Sequence, residues 1–128
     1  MDCPCGSHKP YADCCGKAHK DISTATTAEQ LMRSRYSAFV LGNGNYLMDS
    51  HHSSTRPVKE KKAIEAWAKS VSWIRLEILD REKGEINDQN GTVTFNAYFF
   101  ENGKVDVIHE KSEFLKEKGL WMYLGLAK

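Results

Sequence analysis

At 128 residues the chain is long enough for one domain with its own core and a small appendage. Its composition, 41% hydrophobic and 27% charged, argues against disorder, and no apolar run approaches the ~18–20 residues of a transmembrane helix. The net charge of +1 supplies no whole-molecule attraction for nucleic acid or anionic lipid, so neither is supported as a partner.

The chain opens on Cys3 to Cys15, CPCGSHKPYADCC, which holds all four of its cysteines. A structural zinc ion takes four sulfur or nitrogen ligands in a tetrahedron, and Cys3, Cys5, Cys14 and Cys15 supply four thiolates. Pro4 and Pro10 stiffen the bends, while Gly6 can adopt the positive φ that a backbone wrapping an ion often needs. The segment has almost no aliphatic side chains, so metal binding has to provide most of its folding free energy.

A disulfide framework competes with this assignment, since four cysteines permit three pairings. Residues 1–20 are polar, however, and contain no apolar signal segment. The chain therefore reads as cytosolic, where thiols stay reduced. Thiol redox chemistry fits less well, because the C-x-x-C spacing is missing. Zinc is favoured over both. His8 and His19 are reserve ligands, more simply read as exposed histidines.

Residues 16–25 are polar and small and read as a linker. Thr26-Thr27-Ala28-Glu29 is a capping-box pattern that starts a helix at Thr26. The helix runs to about Leu41, buries Leu31, Met32, Tyr36, Phe39 and Val40, and stops at Gly42 and Gly44. Arg33 falls on the opposite flank and Arg35 on the border of the buried stripe. A short second helix follows at Asn45-Tyr-Leu-Met-Asp, then a polar stretch with His51 and His52. A third helix is expected over 57–69, with Pro57 in its first turn and Val58, Ile64 and Trp67 inward.

After Ser70 the period changes to two. Val71 to Leu79 alternates with Ile74, Leu76 and Ile78 on one side and Trp73, Arg75 and Glu77 on the other. Residues 81–91 read as a loop or ragged hairpin end. Thr92 to Phe100 is a strand with Val93, Phe95, Ala97 and Phe99 on one face. Asn102-Gly103 makes a two-residue turn, and Lys104 to Leu115 returns with Ile108, Glu110, Ser112 and Phe114 sharing a face. Lys118-Gly119 turns again into Leu120 to Leu126. The fold class is α+β, helices on one face of a four-stranded antiparallel meander.

The stretch CPCGSHKPYADCC resembles the SEC-C metal-binding motif, also found at the end of the bacterial protein-export ATPase. LMRSRYSAFVLGNGNYL, residues 31–47, resembles the signature of the bacterial YchJ-like family, and the stretches Trp73-Ile-Arg-Leu-Glu-Ile and His109 to Gly125 also fit it. The family joins a SEC-C motif to a nuclear-transport-factor-2-like domain, a curved sheet wrapped around helices as a cone. The resemblance implies a SEC-C-like zinc motif over 1–20, a cone domain over 26–128 and zinc on Cys3, Cys5, Cys14 and Cys15. It assigns no catalytic residues, and its analogy to the export ATPase implies a partner in protein handling, such as a chaperone or the ribosome. Where the family often reads R-S-R-F, this chain has Lys111-Ser112-Glu113-Phe114.

Two functions follow. In the first, the zinc knuckle docks on a protein and the cone domain is scaffold or homodimer interface, since a four-thiolate site leaves the metal no open position. In the second, the cone encloses a cavity for a small molecule or for a lyase or isomerase reaction, with Arg35, Tyr36, Glu110 and Ser112 as its pocket residues. Glu110 points inward by pattern, and Arg35 is its expected partner in a structural ion pair. His109 falls on the other face of its strand, and His51 and His52 lack an identifiable third partner. No nucleophile elbow, phosphate loop or H-E-x-x-H helix is present, so whether the chain is an enzyme stays open.

Overall fold

A computed structural model describes residues 1–127; Lys128, the last residue of the expected cone domain, lies outside the described residues. Four α-helices precede four strands: α1 (Cys15–Lys20), α2 (Ala28–Leu41), α3 (Gly44–Asp49), α4 (Lys61–Ser70), β1 (Ser72–Lys83), β2 (Asn90–Glu101), β3 (Lys104–Glu117) and β4 (Leu120–Leu126). The strands form one antiparallel sheet in the order β1-β2-β3-β4, with the helices packed on it, so the fold is α+β as expected.

The central helix α2 is set by its ends. Its capping box sits one residue later than the sequence suggests: Thr27 accepts the Gln30 N–H at 3.1 Å, while the Gln30 side chain accepts the Thr26 N–H at 2.8 Å. At the far end Gly42, at φ 68°, donates to the Phe39 carbonyl and Asn43 to that of Ala38, a Schellman closure. Leu31 of α2 is fully buried with Leu47 of α3, Val93 of β2, Phe114 of β3 and Trp121 of β4.

Strand β2 runs in unbroken register with β3 from Asn90↔Leu115 to Glu101↔Lys104, and buries Val93, Phe95, Ala97 and Phe99 as its alternation predicts. Asn102-Gly103 and Lys118-Gly119 both place two successive residues at positive φ, which matches a type I′ hairpin to the strand twist.

Four expectations are corrected. The supposed linker 16–25 contains α1 and a 3-10 turn at Ile22–Thr24. The third helix begins as a 3-10 turn at Val58–Glu60, and Val58 is exposed; α4 proper starts at Lys61. On β1 the inward face is Trp73, Leu76 and Ile78, whereas Ile74 is 49% exposed. A register shift between Trp73 and Arg75 inserts one residue, and one extra residue reverses the parity of a strand. A second shift follows Ile78, and the strand continues to Lys83 through what reads as loop.

Candidate metal centre and cavity

The N-terminal unit is folded around sulfur. Short backbone arms close it, with Cys3 donating to the Lys9 carbonyl at 2.9 Å and Tyr11 to that of Met1 at 2.9 Å. Gly6 takes φ 84° at the first bend. Gly16 lies so close to Tyr11 that a Cβ there would stand 2.6 Å from its carbonyl oxygen. The buried residues of the cluster are Cys3, Cys5 and Cys15, with Tyr11 and Cys14 packed against them.

All four Sγ atoms lie within 4.8 Å of one another, and Cys5 and Cys14 are 3.6 Å apart. All four are free thiols. A tetrahedron with metal–sulfur bonds of about 2.3 Å has edges of about 3.8 Å, so the donor set fits a closed four-sulfur site. The electrostatics point the same way. A hydrogen bond from the Cys15 thiol holds Cys5 down at about 4, and that same bond, followed by burial, pushes Cys15 upward. Burial also raises Cys14. The packed thiols therefore resist a second negative charge until a cation arrives, and binding a metal expels protons.

Polar side chains of α2 hold the knuckle in place. Arg33 donates to the Cys5 carbonyl at 2.7 Å while ion-paired with Glu29 at 2.8 Å. Ser37 Oγ lies 3.6 Å from Cys3 Sγ, and from the loop side Ser7 Oγ lies 3.1 Å from Cys14 Sγ. Residues 33, 34 and 37 share one face of a helix. His19 of α1 meets that face: its Nε2–H donates to the Ser34 carbonyl at 2.8 Å, so its Nδ1 accepts from the Tyr11 hydroxyl at 2.6 Å. Both ring nitrogens are thus used, and burial lowers its pKa. His19 is a half-buried structural residue, neither exposed nor a reserve ligand. His8 is exposed, and neither histidine belongs to the sulfur cluster. The roles of Arg33, Ser37, Ser7 and His19 escape sequence reading; the i, i+4 spacing of Arg33 and Ser37 within the helix signature is a signal that could have found two of them.

The other face of α2 looks into the cone. Arg35 and Tyr36 there, with Glu110 and Ser112 from β3, line a cavity of about 250 Å³. The expected Arg35–Glu110 ion pair is not formed among the described residues. Arg35 donates from Nη1 to the Leu47 carbonyl and to Ser50 Oγ, both at 2.8 Å. Local backbone and hydroxyl acceptors on α3 have outcompeted the carboxylate across the sheet. Burial brings Arg35 down to about 10, and burial raises Glu110, moderated by Ser112 and the Arg35 charge. His109 is exposed on the outer face and bonds Asn96 at 2.7 Å, while His52 is outside the cavity and bonds Ser54.

His51, expected in a polar loop, belongs to the cavity wall with Tyr123, against whose ring it packs edge-on at 4.9 Å. Burial, then the Arg35 charge, lowers its pKa to about 4. A depressed histidine stabilises the fold above its unfolded value of about 6.5, and that contribution fades as pH falls through the folded value. An NMR titration of the His51 ring is expected to show a midpoint near 4, with thermal stability declining below about pH 6.5. A midpoint near the unfolded value would remove this contribution.

The profile of the family described as YchJ, middle NTF2-like domain, matches residues 27–125. The chain belongs to the YchJ-like family. A UPF0225 protein of Vibrio vulnificus is 46% identical over 124 residues, covering 95% of this chain and 72% of its own, and one from Vibrio parahaemolyticus is 42% identical over 122 residues with the same coverage. A SEC-C motif containing protein from Rhodopseudomonas palustris, solved in solution, superposes with a TM-score of 0.86 at 33% identity, covering 97% of this chain and 95% of that one. A crystal structure of a SEC-C motif containing protein from Psychrobacter arcticus gives 0.84 at 31% identity, with 100% and 84% covered. The likeness to both extends over the cysteine knuckle as well as the sheet. No helix among the described residues is long and apolar enough to cross a membrane.

Proposed function

We propose that the knuckle holds one structural zinc ion on Cys3, Cys5, Cys14 and Cys15, and that its surface docks on a protein partner in the cytosol. The cone domain then serves as scaffold or as the interface between two copies. The observation that carries this reading is the convergence of four sulfurs within 4.8 Å, because four thiolates close a tetrahedron and leave the metal no open position for chemistry. Zinc suits an all-thiolate tetrahedral set and imposes no redox requirement. Its ligation ties the loop to α1, and the residues of α2 hold that unit at a fixed angle to the cone. A groove of about 410 Å³ beside the knuckle, with Lys9 and Lys17 on its wall, gives a partner something to enter.

The test separates metal from docking. Zinc content, measured by elemental analysis, is expected at one per chain and is lost in Cys14→Ser/Cys15→Ser. Affinity capture from the reduced cytosol is expected to recover a partner with wild type. That partner is lost both in the cysteine variant and in Lys9→Glu/Lys17→Glu, which keeps its metal. Retention of every partner by the cysteine variant rules the docking out, whatever the metal content.

A further inference from the structure

The cone cavity carries a buried charge that no carboxylate bonds among the described residues. Arg35 is 7% exposed, and its guanidinium sits over the Tyr123 ring, 4.5 Å from the centroid. Guanidinium has five N–H donors. Only Nη1 is bonded among the described residues, which leaves Nε and Nη2 without an acceptor there. No ion pair among the described residues reaches it. Because its pKa stays near 10, it is charged at neutral pH. An unpaired buried cation is costly.

A second group is also unmatched. Ser112 is 1% exposed, and its Oγ, beside the Glu110 carboxyl and the Tyr123 hydroxyl whose pKa values it lowers, completes a hydrogen bond of normal geometry with neither. Buried polar groups in folded proteins are nearly always bonded, so an orphan on a cavity wall points to an absent partner. The remaining walls are apolar and aromatic: Trp67 and Trp73 pack edge-on at 5.5 Å, with Phe39 and Ile64 beside them. The cavity, about 250 Å³, exceeds the roughly 150 Å³ that suffices for a benzene ring.

We propose that this cavity binds a small organic carboxylate with an aromatic or branched apolar body. Arg35 and Ser112 receive the carboxylate, and Trp67 and Trp73 receive the body. Each alternative leaves something unpaired. A cationic ligand meets the Arg35 charge, and a neutral hydrocarbon leaves both Arg35 and Ser112 without acceptors. Glu110 on the same wall is raised above the ordinary carboxylate range by its burial. The site is separate from the knuckle and does not depend on the docking function.

The experiment titrates the metal-loaded full chain with phenylacetate, benzylamine and benzyl alcohol. It follows tryptophan fluorescence together with the amide NMR signals of Glu110 and Ser112. Phenylacetate is expected to saturate and to bind at least about tenfold tighter than either comparator. Ser112→Ala is expected to weaken it several-fold with little change in Tm, since its hydroxyl completes no hydrogen bond of normal geometry in the free protein. Ala97→Leu, which pushes a side chain into the cavity from β2, is expected to abolish binding. Absence of saturation by about 10 mM phenylacetate overturns the proposal. Equal binding of the amine or alcohol, or an unchanged affinity in Ser112→Ala, overturns it too; the latter variant decides the question if Ala97→Leu fails to fold.

Discussion

Stripping metal from the reduced protein with a chelator is expected to unfold residues 1–20 while the sheet stays folded. The reason is what this unit lacks. Its buried residues are Cys3, Cys5, Cys15, Gly16 and Ala18, too little apolar surface to offset the entropy of ordering the loop. Metal binding to a structural site contributes about 10–16 kcal/mol in comparable peptides, far more than the few hydrogen bonds from Arg33, His19 and Ser37 supply. Amide NMR signals of residues 1–20 should collapse to random-coil positions, while those of β2 and β3 hold. Acidification should act like the chelator, since Cys14 and Cys15 already favour their protonated forms and every proton returned to the cluster competes with the metal. Unchanged dispersion of the N-terminal signals with and without chelator would sink the four-sulfur site as the organising element.

The signature helix α2 shows how far a sequence can be read here. Its apolar stripe, its end at Gly42 and the alternation of β2 and β3 are all legible, because burial on one face leaves a periodic mark. The division of its polar residues is not. Arg33, Ser37 and the Ser34 carbonyl meet the knuckle while Arg35 and Tyr36 turn to the cavity, so one run of sequence serves two sites on opposite faces. The four cysteines stand out as candidate metal ligands because their chemistry is rare and their spacing close. By contrast, α1 has no apolar stripe to reveal it, since sulfur and His19 hold it in place. The inward turn of Trp73 depended on a bulge, which leaves no trace in alternation alone. The Arg35–Glu110 pairing failed for a different reason: sequence patterns show side chains and hide the competing carbonyl of Leu47.

Trp121→Ala is expected to cost about 3–5 kcal/mol, the range for emptying a large aromatic site in a close-packed core. Trp121 is 2% exposed, its Nε1–H donates to the Thr26 carbonyl at 3.1 Å, and Lys116 lies over its ring at 5.2 Å. It ties the last strand to the chain just before α2, so its loss opens a cavity and orphans a carbonyl together. Thermal unfolding should shift down by roughly 10–25 °C for a domain of this size. Trp121→Phe keeps most of the packing and loses the hydrogen bond, and should cost much less. The knuckle rests further along α2, on Arg33, Ser34 and Ser37, and draws its stability from sulfur. Trp121→Ala should therefore keep its metal below its lowered Tm. A loss under about 1 kcal/mol for Trp121→Ala would mean that β4 is not what closes the cone on α2.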